Sequence, residues 1–215
     1  MPKNRPALRC IELTISFLAG HLDATGFLIA KGFFVSFMSG NTTQIGVYLG
    51  DGWDAIFLPV ALIAAFVAGV TSGAALAWSR KGKERSSVLA LCLALLIVAS
   101  VFYALGITLG FLLPVACAMG LINNVFIRDN DGAVGVTYIT GALVRVGRNF
   151  AARMMNRPDD VTPGFGPMWL SLAIGAVFGA VVHDWHYLAG PVIAVVLCAA
   201  LTAGARWSEA HTPGD

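Results

Sequence analysis

The chain has 215 residues, of which 57% are hydrophobic and 12% are charged, and its mean hydropathy is +0.76. A soluble domain carries about 25% charged residues, so this composition excludes a soluble globular protein and predicts a single all-α integral membrane domain, 1–215, that contacts the lipid bilayer. The net charge of +2 is too small to indicate nucleic-acid binding.

Eight apolar segments follow one another along the chain. A helix needs about 20 mainly apolar residues to cross a bilayer, and six of the segments approach or reach that length. The second and sixth segments instead carry polar residues at their centres. The predicted segments are 10–31, 33–50, 55–79, 88–108, 109–127, 134–152, 167–183 and 187–207.

The first segment begins after basic residues and continues as an apolar run, which is also the pattern of a cleaved signal peptide. However, the run contains His21 and Asp23, and no small-residue cleavage site follows it. We therefore predict that the first segment is retained as a membrane span.

The second segment contains "SFMSGNTT" at 36–43, a polar interruption in apolar surroundings. Irregular backbone inside a bilayer must be buried in protein or face a wet cavity, because unpaired N–H and C=O groups are costly in lipid. We expect Gly40 to form a tight turn. Either Ser39 or Asn41 would then cap a half-helix over 42–50.

The sixth segment carries a similar interruption, "TYITGAL" at 137–143, with Thr140 and Gly141 at its centre. Its half-helix, 142–152, would approach the bilayer centre from the opposite face. A helix N-terminus offers free N–H groups and partial positive charge, which favour anions and polar groups. The two interruptions therefore predict a polar site at the midplane, and the alternative is a pair of kinked helices whose Ser and Thr bond their own backbone.

The basic residues orient the chain, because Lys and Arg accumulate in cytoplasmic loops. If all eight segments cross, either orientation places two basic clusters on the wrong side. If 33–50 and 134–152 enter and leave on one side, every cluster becomes cytoplasmic. This favours six spans with two re-entrant segments and both termini in the cytoplasm. The basic positions are Lys3, Arg5, Arg9, the run "RKGKER" at 80–85, Arg128, Arg145, Arg148, Arg153, Arg157 and Arg206.

The two interrupted segments belong to a longer internal similarity between 10–108 and 109–207. Each half would contain a span, a re-entrant segment and two more spans. Three crossings per half give the halves opposite orientations, an arrangement found in transporters with a site between the repeats. The matched pairs are Gly20 with Gly120, Asp23 with Asn123, Ser36 with Thr137, Ser39 with Thr140, Gly40 with Gly141, and Gly46 with Gly147.

Glycines spaced four residues apart occur in the third and seventh segments. They are Gly69 with Gly73, and Gly175 with Gly179. Small residues at this spacing let helix backbones approach closely. The pattern therefore predicts helix packing, within the chain or across a homodimer, and carries no chemistry.

Asp23 is the most informative ionisable residue, because a carboxylate at the bilayer centre costs about 2.5–3.5 kcal/mol on insertion scales. With His21 it could bind a proton or hydrogen-bond the first interruption, and the alternative is that Asp23 only caps the half-helix. Asn123 and Asn124 stand at the corresponding place in the second half as neutral hydrogen-bonding groups. Arg145 could hold an anion, or lie near the cytoplasm where basic residues are favoured anyway.

The chain gives no pattern for a cofactor, a metal site or an enzyme. The "HDWH" turn at 183–186 fits a polar turn with one interfacial Trp better than a metal site. No nucleophile with a plausible base stands out. The cysteines lie far apart, without metal-ligand or disulfide spacing: Cys10, Cys92, Cys117 and Cys198.

The run "FLAGHLDATGFLIAKGFFVSFMSGNTTQIG" resembles the YoaK-type family of bacterial membrane proteins, domain of unknown function 1275, and so does "GLINNVFIRDNDGAVGVTYITGALVRVG". Ser39 stands where the family usually has Thr, and Ile122 stands where it usually has Gln. The resemblance implies a bacterial inner-membrane protein of about six spans, and no established activity. The matching residues are Gly20, Asp23, Ala24, Gly26, Phe27, Leu28, Phe34, Val35, Ser36, Met38, Gly40, Asn41, Asn123, Thr137, Thr140 and Gly141.

The first functional hypothesis is a small transporter or channel for a small polar or anionic solute, with a midplane site between the two broken half-helices. The alternatives are a proton- or cation-coupled transporter that uses Asp23, and a non-transporting membrane scaffold or sensor. The residues expected at the site are His21, Asp23, Ser39, Gly40, Asn41, Asn123, Asn124, Thr140, Gly141 and Arg145.

Overall fold

The computed structural model describes the backbone of residues 5–80, 82–125, 127–128, 132–133, 139–157, 161 and 164–211, and the side chains of 9–80, 82–125, 140–157, 161 and 164–211. The described residues are almost entirely helical, which confirms the all-α class. The α-helices are α1 (Arg5–Ile29), α2 (Met38–Tyr48), α3 (Trp53–Ser79), α4 (Glu84–Ala104), α5 (Thr108–Ile122), α6 (Ile139–Met154), α7 (Phe165–Trp185) and α8 (Ala189–His211).

Two short elements accompany the helices. A 3-10 turn, Leu49–Asp51, follows α2 directly. In the connection between α5 and α6, β1 (Ile127–Arg128) pairs antiparallel with β2 (Gly132–Ala133). Each strand has two residues, so the pair is a local hairpin and the architecture remains a helical bundle.

Four helices, α3, α4, α7 and α8, are long and apolar enough to cross a membrane by length and composition. The protein is therefore a multi-pass membrane protein. Of the other two predicted spans, α5 is apolar but has only 15 residues. Helix α1 has 25 residues but carries Glu12, His21 and Asp23 within its apolar run. A count of six crossings therefore remains a prediction.

The polar content of α1 is explained by its position in the bundle. Helix α1 packs mainly on α7 and α8, and α5 packs on α3 and α4. Ile15, Leu18 and Leu22 of α1 are completely buried, as are Leu112 and Leu121 of α5. A helix surrounded by protein can pair its polar groups internally, so it needs less apolar surface than a helix that faces lipid.

Glycines bring α1 and α7 into backbone contact. A Cβ added at Gly20 would overlap the carbonyl group of Leu172, and one added at Gly175 would overlap that of Phe17. Both would be well inside 3.0 Å, a separation that real Cβ atoms essentially never show. The two helices can therefore cross this closely only with glycine at these positions.

Helices α3 and α5 cross in the same way. A Cβ at Gly69 would overlap the Cys117 carbonyl, and one at Gly120 would overlap the Phe66 carbonyl. Gly73 faces Leu121 one turn further on. The spaced glycines thus act in helix packing within the chain, as the sequence predicts.

The long helices alternate in direction along the chain. Helix α1 runs parallel to α7, because the Ser171 hydroxyl donates to the Leu13 carbonyl while Gly179 contacts His21 two turns later. Helices α4 and α8 are antiparallel, since the Ser86 amide donates to Glu209 near the end of α8. Consequently α1, α4 and α7 begin at the same end of the bundle, where α3, α5 and α8 finish.

Basic side chains gather at that end, which we call the basic end. The opposite end carries mainly acidic residues, and Lys31 is its basic residue among those described. This asymmetry follows from the alternating helix directions and the positions of the charges. At the basic end lie Arg9, Arg80, Lys83, Arg85, Arg153, Arg157 and Arg206, and at the opposite end lie Lys31, Asp51, Asp54 and Asp184.

Candidate functional site at the re-entrant segment

The chain turns back on itself after α1. Lys31 and Gly32 both have positive φ, 54° and 116°, and they make the turn. Residues 33–37 then run non-helically back along α1, since Val35 lies against Gly26. Helix α2 returns alongside them. We call residues 32–48 the re-entrant segment for the path of their backbone, which turns back along α1 and then returns, and their depth in a membrane stays a prediction.

The interruption lies earlier than the sequence suggests. Helix α2 already begins at Met38, so Ser39, Gly40 and Asn41 occupy its first turn rather than the break. The N-cap residue is Phe37, and no side chain caps the helix there. The expected capping by Ser39 or Asn41 is therefore wrong, because these residues lie inside the helix and not before it.

Gly40 also has a different role from the one expected. It is not among the glycines with positive φ, so it does not make a tight turn. Instead, a Cβ at Gly40 would lie 2.5 Å from the Phe37 ring. Phe34 packs edge-on against the same ring at a centroid distance of 5.2 Å. Glycine is needed here for space, because two aromatic rings close over the start of α2.

Asp23 holds the non-helical stretch from the side of α1. Its Oδ1 accepts hydrogen bonds from the amides of Val35 (3.0 Å) and Ser36 (2.8 Å), and its Oδ2 accepts one from the Ser36 hydroxyl (2.6 Å). Charge-assisted bonds of this kind are about twice as strong as neutral ones. The carboxylate thus satisfies amides that precede α2 and that have no helical partner.

Asn41 holds the same stretch from the side of α2. It is completely buried. Its Oδ1 accepts from the Phe34 amide at 2.9 Å, and its Nδ2 donates to the Phe34 carbonyl at 2.7 Å. The side-chain amide therefore pairs with Phe34 as a neighbouring strand would. Gln44, one turn later, donates to the Gly32 carbonyl at 2.7 Å.

Ser39 is the polar residue of this region whose hydrogen-bonding donors are not used within the described part of the protein. It is exposed, whereas Asn41 is buried. Neither its amide nor its hydroxyl has a hydrogen-bond partner among the described residues. The Ser39 amide lies in the first turn of α2 and so contributes to the partial positive charge of the helix N-terminus, and the hydroxyl offers a further hydrogen-bond donor beside it.

His21 belongs to a different cluster from Asp23. Its Nε2 lies 2.8 Å from the carbonyl oxygen of Gly190 at the start of α8. Its Nδ1 is buried without a partner among the described residues. The Thr25 hydroxyl donates to the His21 carbonyl at 2.8 Å. The contact with Gly190 ties α1 to α8, so His21 and Asp23 face different neighbours although two residues separate them.

Asn123 and Asn124 lie at the end of α5. The Asn123 side chain donates to the Met119 carbonyl at 2.8 Å, and that of Asn124 donates to Val70 of α3 at 3.1 Å. Both are buried. These bonds tie Asn123 to its own helix and Asn124 to the α3–α5 crossing.

Thr140, Gly141 and Arg145 all lie on α6. Thr140 and Gly141 are in its first turn and not in a break, which corrects the sequence expectation, and Thr137 lies outside the described residues. The Arg145 guanidinium stacks over the Phe165 ring at 4.6 Å from its centroid. Such a cation–π contact contributes about 0.5–1 kcal/mol at exposed sites. It fixes α6 to the start of α7.

Helices α2 and α6 do not meet each other. In the described parts of the chain, α2 packs on α3 and on the 3-10 turn, and α6 packs on α7. The described residues of α2 and α6 therefore make no direct contact, and their convergence on one midplane site stays a prediction. The structure brings together Asp23, Asn41 and the stretch 33–37, and it places the asparagines of α5 and the residues of α6 elsewhere.

Sequence reasoning gave no site role to Gln44, Phe34 and Phe37. A signal existed for Gln44, because it follows Asn41 by one helical turn inside an apolar segment. The two phenylalanines read as ordinary apolar residues, since only the folded geometry shows that they cover Gly40. Among the described residues, no three His, Cys, Asp or Glu side chains lie together as a metal site would require.

Comparison with known proteins assigns the chain to a family. The family model described as "Protein of unknown function (DUF1275)" matches residues 11–204. A protein named "UPF0700 transmembrane protein" from Rhizobium meliloti (strain 1021) is 34% identical over 176 residues, which are 78% of this chain and 72% of the relative. No solved structure matches the chain significantly.

Proposed function

This chain belongs to the DUF1275 family of proteins of unknown function, and from that premise we propose that it is a small membrane transporter or channel for a small polar or anionic solute. The re-entrant segment carries this proposal. Non-helical backbone at membrane depth occurs where it is buried in protein or lines a water-filled cavity. Here Asp23 and Asn41 fix the backbone from both sides, and the Ser39 amide and hydroxyl have no partner in the described part of the chain.

The packing of the helices supports two inverted repeats, 10–108 and 109–207. Gly20 and Gly175 make the α1–α7 crossing, and Gly120 and Gly69 make the α5–α3 crossing. In the internal similarity α1 corresponds to α5 and α3 corresponds to α7. The α5–α3 crossing is therefore the counterpart of the α1–α7 crossing, with each helix replaced by its equivalent in the other half. Alternating directions give the halves opposite orientations, as in transporters whose solute sites lie between repeats.

The orientation in the membrane follows from the charges. The basic end, which holds Arg80 and Arg206, is assigned to the cytoplasm by the positive-inside rule. Both termini then lie in the cytoplasm, and six helices cross the membrane. The relative is a bacterial transmembrane protein, and a bacterial inner membrane is the compartment that fits such a helical chain.

We assign the solute contact to the starts of the half-helices, at Ser39 in the first repeat and Thr140 in the second. Both residues are exposed. Asp23 has three donors on its two oxygens, which fits a residue that positions backbone better than one that couples a proton to transport. Because α2 and α6 lie apart, transport requires that the solute reach them in turn or that the two halves move.

Thiol accessibility tests whether Ser39 faces a wet path. In a Cys10→Ser background, Ser39→Cys is treated with the membrane-impermeant anion sulfonatoethyl methanethiosulfonate. We expect modification about tenfold faster than at Val67→Cys, because only a thiol in contact with water ionises and reacts. Val67 is an exposed apolar residue of α3 and serves as the lipid-facing control.

Flux measurements complete the test. Purified protein in liposomes is challenged with formate, chloride, urea and glycerol, and volume changes are followed by light scattering. Gly40→Ala should slow any flux, since the Phe37 ring must move to admit the added Cβ, whereas Gly46→Ala in the same helix meets nothing within 4 Å and should not. If the thiol at 39 stays unreactive from both sides and no solute enters faster than in empty vesicles, the proposal is wrong.

A further inference from the structure

A cavity of about 570 Å³ lies at the basic end, between the last turn of α3, the first turns of α4 and the last turns of α8. It is separate from the re-entrant segment, which packs near the opposite end. The polar side chains that line it are Arg80, Lys83, Ser86, Ser87, Arg206 and Glu209.

Positive charge dominates the cavity. Arg80, Lys83 and Arg206 each carry one positive charge, and Glu209 is the lining carboxylate. Among the described residues, none of the three cations pairs with a carboxylate. Lys81 lies outside the described residues. The three cations are exposed around one open cavity. Two arginines and a lysine grouped in this way suit an anion, and the planar guanidinium groups match phosphate oxygens in particular.

Glu209 adds a second requirement for the ligand. Its Oε1 accepts a hydrogen bond from the Ser86 amide at 3.1 Å and so holds the start of α4. Its Oε2 is buried and has no hydrogen-bond partner among the described residues. A buried carboxylate oxygen without a donor is costly. A ligand that carries an N–H or O–H group beside its phosphate would supply the missing donor.

The position of the cavity indicates where such a ligand comes from. Trp78 and Trp207, at the ends of α3 and α8, are 75% and 67% exposed. Exposed Trp at helix ends is typical of the membrane interface, the level of the lipid headgroups. An open surface groove adjoins the cavity, shares Arg80 and Lys83 with it, and reaches Trp78. Basic pockets at this level bind phospholipid headgroups.

We propose that this cavity binds a phosphate ester that carries a neighbouring hydroxyl or ammonium donor, as the headgroup of phosphatidylglycerol or phosphatidylethanolamine does. The phosphate lies between Arg80, Lys83 and Arg206, and the donor bonds Glu209 Oε2. This proposal does not rest on the proposed transport function. A bound lipid would hold the ends of α3, α4 and α8 together, so the stability of that end of the bundle would depend on lipid.

Native mass spectrometry of the purified protein tests the charge requirement. Phosphatidylglycerol is titrated into wild-type protein, into Arg80→Gln/Arg206→Gln, and into Arg148→Gln/Arg153→Gln. The control removes the same charge from α6. We expect affinity to fall by about tenfold or more in the first variant, because two charge-assisted bonds are lost, and to change less than about twofold in the control.

Lipid chemistry tests the role of Glu209. Phosphatidylmethanol has the same charge as phosphatidylglycerol but lacks its hydroxyl groups. Wild type should prefer phosphatidylglycerol, and Glu209→Gln should lose that preference while still binding both lipids, since Gln replaces the free acceptor and can still bond Ser86. Retained preference in this variant would contradict the assigned contact.

Soluble glycerophosphoglycerol separates the two sources of the ligand. If it raises the thermal stability of wild type and not of Arg80→Gln/Arg206→Gln, the cavity takes the headgroup without its acyl chains. If only the lipid binds with that dependence, the membrane supplies the ligand. If neither probe distinguishes Arg80→Gln/Arg206→Gln from Arg148→Gln/Arg153→Gln, the proposal is overturned.

Discussion

Alanine at the crossing glycines should destabilise the bundle, and equally in both halves. At Gly20 the added Cβ meets the Leu172 carbonyl, and at Gly120 it meets the Phe66 carbonyl. A backbone oxygen cannot rotate away as a flexible side chain can. The helices must therefore separate by about 1 Å to restore a real contact distance, and every packed side chain along the crossing loses contact.

The magnitude follows from two opposing effects. Overpacking a well-packed interior costs about 1–3 kcal/mol. Replacing Gly by Ala inside a helix regains up to about 1 kcal/mol through helix propensity. With the full propensity gain, we expect a net loss of up to about 2 kcal/mol at Gly20 or Gly120. At Gly204 of α8 an added Cβ meets nothing within 4 Å, so only the gain remains.

Thermal unfolding in detergent measures this difference. One kcal/mol shifts the melting temperature of a chain of this size by about 2–4 °C. Gly20→Ala and Gly120→Ala should therefore melt about 5 °C below Gly204→Ala. Melting temperatures for the three variants that agree within about 1 °C would refute the close-crossing argument, since each Ala has the same intrinsic propensity.

Double variants sharpen the test. Gly20 and Gly175 share the α1–α7 crossing, so the second Ala should cost less once the first has separated the helices. Gly69 and Gly175 lie on α3 and α7, which make no contact in the described chain. Their effects should add within about 0.5 kcal/mol. If the losses at Gly20 and Gly175 simply add, the two glycines do not depend on the same distance between α1 and α7.

Three further predictions concern the site and the threading. Asp23→Asn should lower the free energy of unfolding by about 1–2 kcal/mol, because Asn loses the charge and one acceptor for the Val35 and Ser36 donors. Denaturant titration measures it, and an unchanged free energy would show that the Asp23 bonds to residues 35 and 36 do not stabilise the fold. Asn41→Leu should cost about 2–4 kcal/mol by leaving the Phe34 amide and carbonyl unpaired, with the same assay, and a neutral result would show that water replaces the side chain. In a Cys10→Ser background, engineered cysteines should label with impermeant maleimide from one side only, and opposite labelling would refute the six-span threading. The positions are Gly82 and Asn156 for the cytoplasmic side and Asp51 for the outside.

Hydropathy predicts the long helices well, because a bilayer imposes length and apolar content directly on the sequence. Helices α3, α4, α7 and α8 follow their predicted segments closely. Helix α5 is the exception, since it ends at Ile122 although apolar residues continue. There Asn123 and Asn124 bond carbonyls of α5 and α3, and these tertiary contacts are invisible to a hydropathy scan.

The position of the break illustrates how tertiary contacts override local signals. Ser and Gly are common at helix ends, so a sequence pattern places the break at Ser39 and Gly40. The true break, 33–37, consists of aromatic and β-branched residues with one Ser, which suit extended backbone. The side chains that hold it extended come from Asp23, ten or more residues earlier, and from Asn41. Only the folded chain shows which residues supply these bonds.

Asp23 and the break depend on each other, and this bears on where the solute of the proposed transporter would bind. The carboxylate is tolerated inside the bundle because Val35 and Ser36 supply its donors, and the non-helical amides are tolerated because the carboxylate accepts from them. A solute that displaced Asp23 would have to satisfy both partners at once. A solute at Ser39 breaks no bond among the described residues, since its amide and hydroxyl are unpaired. If the proposed transport function holds, the first turn of α2 is the place where binding would cost least, and Asp23 supports it by holding the stretch that leads into that turn.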